Sequence, residues 1–135
     1  MKKIYSRAQK DLLICSIVNI DDISSYRTDI SPDEEFIQVS ARKLNANIYV
    51  KPHRHRRVDR LTTITQEAWI VHRGKIKAEI FDIDNSHIED STIEEGGCIV
   101  LYNGGHSLTS LSENTIFYEI KTGPYFGYEN DKEDI

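Results

Sequence analysis

Two cysteines, one tryptophan, one methionine and three prolines are all that the 135 residues hold of those types. Cys15 and Cys98 each stand inside an apolar stretch and form no CxxC pair. A disulfide therefore has no support, and two buried, reduced thiols in a cytoplasmic chain are expected. No apolar run approaches the roughly 20 residues of a transmembrane helix. Behind Met1-Lys2-Lys3, the residues Arg7, Lys10 and Asp11 interrupt any signal-peptide core. Cationic excess is missing too: 17 Lys and Arg face 22 Asp and Glu, a net charge of −5. That balance argues against nucleic acid as the main partner, because phosphate binding needs a basic face. No segment repeats and no Gly/Ser/Pro-rich linker divides the chain, so residues 1–135 are expected to form one domain ending in an aromatic and acidic tail at 123–135.

What is present is the strand signal. Short runs of Val, Ile, Tyr, Phe and Thr recur between polar turns: Leu12–Val18, Glu35–Ala41, Asn47–Val50, Ala68–His72, Lys75–Phe81, His87–Ile93, Cys98–Tyr102, His106–Thr109 and Thr115–Lys121. In Lys75–Phe81 the residues Ile76, Ala78 and Ile80 alternate with Lys75, Lys77 and Glu79, the period of a half-buried strand. Asp82–His87 reads as a hairpin turn, since Asp and Asn bond their own backbone. Only Ser31-Pro32-Asp33-Glu34-Glu35 looks helical, for about one turn. Roughly eight to ten strands with turns about every ten residues predict an all-β sandwich or barrel with minimal helix.

The chemistry lies in the histidines. His53 and His55 flank Arg54, and on a strand two such residues share a face, close enough for both imidazoles to reach one ion. Glu67 enters the strand that ends at Gly74, and His106 follows the turn Asn103-Gly104-Gly105. Three strands would thus each deliver a ligand, in the order His-x-His, Glu, His. Parity turns Glu67, Trp69 and Val71 to one face and His72 to the other, which makes His72 a poor ligand; His87 belongs to the exposed turn. The same test groups Ile116, Tyr118 and Ile120, so that Tyr118 becomes a candidate polar handle inside an apolar cavity. Lys51–Arg60 is the one strongly positive run, and its guanidinium groups would select phosphate or carboxylate.

In this order of residues the chain resembles the cupin superfamily over about residues 47–114. His53 and His55 match the HxH of its first motif, Glu67 the glutamate separated by six residues from Gly74, Gly96 the glycine opening the second motif, and His106 its final histidine. Asn47 replaces the first motif glycine, Ser110 stands in place of the closing asparagine, and the second motif's proline is absent. Eleven residues separate His55 from Glu67, so a loop from Arg56 to about Thr65 is inserted. The resemblance implies a jelly-roll barrel, the double-stranded β-helix. It also implies a divalent transition metal (Mn, Fe, Co, Ni, Cu or Zn) held by His53, His55, Glu67 and His106.

Arg60, Trp69 and Tyr118 are the candidate ligand-binding residues, and the expected ligand is a small anion of the sugar, sugar-phosphate or nucleotide-sugar class. Small cupins of this pattern resemble members of bacterial surface-polysaccharide gene sets. The open alternatives are a metal-dependent isomerase, epimerase or dioxygenase, a metal-free epimerase or isomerase, and a non-catalytic binding protein. The tail Tyr125, Phe126 and Tyr128 is expected to bury itself against the barrel or a second copy, giving a homodimer.

Overall fold

The computed structural model describes residues 1–135. Its strands are β1 (Lys2–Tyr5), β2 (Leu13–Val18), β3 (Thr28–Asp29), β4 (Ser40–Ala41), β5 (Glu67–Arg73), β6 (Lys75–Phe81), β7 (His87–Glu94), β8 (Cys98–Leu101), β9 (Gly105–Ser110) and β10 (Ile116–Lys121). Helix is confined to a 3-10 turn at Ile20–Asp22 and to α1 (Tyr128–Asp131). The protein is all-β, 39% strand and 5% helix, in three antiparallel sheets of which none closes on itself. The large sheet runs β1-β2-β8-β5-β10, a second runs β7-β6-β9, and β3 pairs with β4 alone.

Alternation decides how the two larger sheets meet. Ile76, Ala78 and Ile80 turn inward from β6 to pack on Ile14, Ile17, Trp69, Val71, Ile99 and Leu101 of the large sheet. The opposite face of that sheet is covered by the segment between the 3-10 turn and β4, whose Ile30 and Ile37 pack with Tyr102, the residue after β8. With both faces covered, every residue of β2 and β8 is buried, which is why these strands read as continuous apolar runs. Gly74 turns β5 into β6 at φ +78°, and Gly104 enters β9 at φ +70° with its Cα against the Phe81 carbonyl, where a Cβ would collide.

Three sequence expectations are corrected. The strand at Glu35–Ala41 shrinks to β4, because Gln66 captures the preceding backbone: its Oε1 accepts from the Ile37 amide at 2.9 Å. The segment at Asn47–Val50 and the HxH segment after it form no strand, and every residue from 42 to 64 is exposed. In the tail, Tyr125, Phe126 and Tyr128 are exposed, so their rings are not buried against their own barrel.

Asp82 fixes the N-terminus to the β6–β7 turn. Its carboxylate, fully removed from water, accepts from the Ser6 hydroxyl at 2.5 Å and from the amides of Arg7 (2.6 Å), Ala8 (3.1 Å) and Ile83 (2.8 Å). Burial alone would raise its pKa; the four donors outweigh burial and bring it down to about 2. Asp82→Ala strands those donors and is expected to cost about 2–3 kcal/mol in urea unfolding. In the wild type this contribution is complete above the ordinary value of 3.8 and fades as pH falls toward about 2.

Candidate functional site

β5 and β10 are registered so that Glu67 faces Lys121 and Trp69 faces Glu119. All four therefore point to the inner side of the large sheet, together with Phe117. Glu67 is 3% exposed. Its Oε1 accepts the Trp69 indole N–H, and its Oε2 lies 3.3 Å from the Lys121 ammonium. From the other sheet, β9 brings the His106 Nε2 to 3.9 Å from the same oxygen, and the His106 ring meets Trp69 edge-on at 5.2 Å between centroids.

The charges of this cluster are mutually arranged. Lys121 also reaches Glu119 at 3.0 Å. Burial opposes its charge, but the Glu119 hydrogen bond and the Glu67 carboxylate prevail and raise its pKa. Burial likewise disfavours ionised Glu119, and Lys121 overrides it to lower that pKa. For His106 burial wins: desolvation, aided by Lys132 and Lys121, lowers the imidazole below its ordinary 6.5 against the pull of Glu67. The result is a neutral imidazole, a potential proton acceptor, beside a compensated carboxylate.

Of the expected metal ligands, the structure brings together Glu67 and His106 only. His53 and His55 lie in the exposed segment, their rings 5.6 Å apart, and the His53 Nδ1 is tied to the Lys51 carbonyl oxygen at 2.9 Å. No three His, Cys, Asp or Glu side chains converge anywhere. Two donors, one of them already paired with an ammonium, do not fit a transition metal that needs three or four protein ligands. Trp69, one of the candidate ligand-binding residues, stands in the cluster against Glu67 and His106. Arg60 lies with the histidines in the exposed segment, and Tyr118 is 60% exposed on the outer face, near His72.

Lys121 and Glu119 escaped the sequence reading. The apolar face of β10 (Ile116, Tyr118, Ile120) faces out and the mixed face (Phe117, Glu119, Lys121) faces in, the reverse of the assignment that hydrophobicity suggests. The parity signal was sound; only the pairing with Glu67 could choose the face.

A cavity of about 420 Å³ opens at the strand ends beyond this cluster, lined by residues 62–65 and by the chain between Thr122 and Asp131. Thr65 and Thr122 adjoin Gln66 and Lys121 in sequence, and the Gln66 amide donates to the Thr122 hydroxyl at 3.0 Å. Asp131 accepts from the Thr65 hydroxyl at 2.5 Å through Oδ1, while its Oδ2 is buried with no partner. No helix is long and apolar enough to cross a membrane. The chain matches no family profile, no curated protein and no solved structure.

The His106 environment has a stability signature. The unfolded chain takes up a proton near pH 6.5, whereas the folded imidazole resists it until lower pH. Wild-type stability is expected to fall as pH drops below 6.5 and to level off once the folded histidine is also charged. His106→Gln should lose this part of the slope in urea melts at stepped pH.

Proposed function

We propose that this chain is a cupin-like jelly-roll protein that binds a small, hydroxyl-rich anion of the sugar-phosphate or nucleotide-sugar class where the cavity adjoins Glu67, His106 and Lys121. The observation that carries this reading is the chemistry of the cavity wall. Thr62, Thr63, Thr65, Thr122 and Asn130 offer hydroxyl and amide groups, and Asp131 offers a buried oxygen that lacks a donor. Such an oxygen suits a sugar hydroxyl, because an unpaired buried acceptor is costly until one is supplied. The anionic part of the ligand is matched by Lys121, by Lys132 and by the guanidinium groups between Arg54 and Arg60.

The same geometry supports the metal-free alternative. Lys121 compensates the carboxylate that a cation would otherwise claim, and His106 is held neutral beside it. A neutral imidazole with a lowered pKa can take a proton from a carbon next to a sugar carbonyl, and a nearby ammonium can stabilise the oxyanion that forms. In this reading His106 is the base, Lys121 the electrostatic partner, Trp69 the wall that orients the ring, and the Thr65/Asp131 pair the sugar-hydroxyl contact.

Binding of glucose 1-phosphate, followed by calorimetry, tests the first part. Asp131→Asn and Lys121→Gln are each expected to weaken binding several-fold, and so is joint neutralisation of Arg56, Arg57 and Arg60. Unchanged affinity in the triple variant removes those arginines from the site. A wild-type protein that binds no phosphorylated sugar or nucleotide sugar overturns the reading. Proton transfer is read separately, as solvent deuterium entering a bound keto-sugar: His106→Asn should keep binding and lose the exchange.

A further inference from the structure

The two large sheets are bridged by side chains along both sides, and along one of them each ends in a free edge strand. On one side, Lys2 of β1 pairs with Glu89 of β7, and the Arg7 guanidinium donates to the Ile88 carbonyl at 2.9 Å. On the other side the edge strands are β10 and β9. Between them lies Glu67, whose Oε2 is 3.3 Å from Lys121 and 3.9 Å from His106, and at one end the Ser110 hydroxyl donates to the Thr115 hydroxyl at 3.0 Å. On β9 the Ile135 side chain lies against Gly105, while no strand pairs with the outer backbone edge of β10, a state that soluble sheets rarely leave unmanaged. Beside it, the outer face of β10 presents Ile116, Tyr118 and Ile120 at 43%, 60% and 46% exposure.

The chain also holds a segment with nothing to pack on. From 42 to 64 every residue is exposed, among them Ile48, Tyr49, Val50, Val58, Leu61 and Ile64. Between Leu44 and Thr63 no hydrogen bond reaches the rest of the chain. Yet Asn47–Val50 carries the β-branched and aromatic signature of a strand.

The total accessible surface is 9743 Å², where a compact monomer of this mass exposes about 7,200 Å². The excess, about 2,500 Å², is well above the roughly 800 Å² that each partner contributes to a standard interface. Charge agrees. Five basic residues and one acidic residue lie between Lys51 and Arg60 in a chain of net charge −5, so the remainder is strongly acidic.

We propose that the arm formed by residues 42–64 of one copy adds a strand to the free edge of β10 in a second copy, reciprocally, so that each chain covers the free edge of the other. A two-fold pair satisfies both arms and both edges at once. The chain's own tail stands against the arm's exit, where Thr65 is bonded to Asp131 and residues 62–65 face residues 122–131 across the cavity. In the pair, the arm's arginines and the imidazoles of His53 and His55 come to the free-edge side of the partner's Glu67 cluster. This last consequence rests on the function proposed above; the strand exchange does not.

The test is a mixed cross-link. Tyr49→Cys and Tyr118→Cys chains, co-expressed with a tag on one, are treated with a short bis-maleimide; the native thiols, Cys15 and Cys98, are buried. A covalent tagged–untagged dimer is expected, with light scattering giving twice the 15.6 kDa chain mass for the wild type. Ile48→Pro with Val50→Pro, placed where the single chain has no ladder to lose, should return the mass to one chain, abolish the cross-link and leave the circular dichroism of the body unchanged.

Single-chain mass for the wild type at micromolar concentration overturns the proposal. So does a cross-link confined within one chain when a single chain carries both Tyr49→Cys and Tyr118→Cys, which would mean that the arm folds back on its own sheet. A dimer indifferent to the proline pair overturns it as well. None of these readouts involves a sugar, so failure of ligand binding and failure of strand exchange are separate results.

Discussion

A carboxylate with 4% of its side-chain surface in contact with water needs a partner, and Lys121 supplies it. The Glu67–Lys121 pair lies across the β5–β10 ladder at the edge of the large sheet, beside a His106 that burial keeps neutral against the pull of Glu67. Removing one member of such a pair leaves the other charge stranded in a dry site. The pair therefore ties the placement of β10 to the chemistry of the interior.

The pair also explains how a fold with an ordinary apolar core can carry a polar interior at one end. The core of Ile76, Ile80, Ile99 and Val71 fills the space between the sheets. Toward the strand ends that packing gives way to Trp69, His106 and the charged side chains, with the hydroxyl-lined cavity beyond. The ligand proposal rests on this neutral imidazole and ammonium at the strand ends together with the unpartnered Asp131 oxygen in α1. The free edge of β10 borders the same place, so the two proposals, one about ligand and one about partner, converge on Glu67.

Much of this was legible in the residues. The alternation of β6, the Asp-rich turn after it, the continuous runs of β2 and β8, and the inward parity of Glu67, Trp69 and Val71 are all read directly from spacing, and the structure agrees with each. The two cysteines are free and buried, as their apolar surroundings indicate. Other features were not legible. Tyr118 was assigned inward because its face is the apolar one, yet that face lies at an uncovered sheet edge. His53 and His55 have the spacing of a ligand pair, but spacing acts only once a strand has something to pair with, and in the single chain the arm has nothing. The aromatic tail was expected to bury its rings against the barrel or a second copy; against its own barrel it leaves them exposed and meets the body through Asp131 and the terminal Ile135, which packs on Gly105.

The amino-acid order by itself determined an all-β chain, its strand periods, its turns, and the candidacy of Glu67 and His106, because these depend on neighbours within a few residues. Tertiary structure alone decided that Lys121 would be the partner of Glu67, that the mixed face of β10 would look inward, and that the HxH segment would stand apart. Those outcomes depend on which distant strands share a ladder and which charges lose their water together. Neither is written in local spacing.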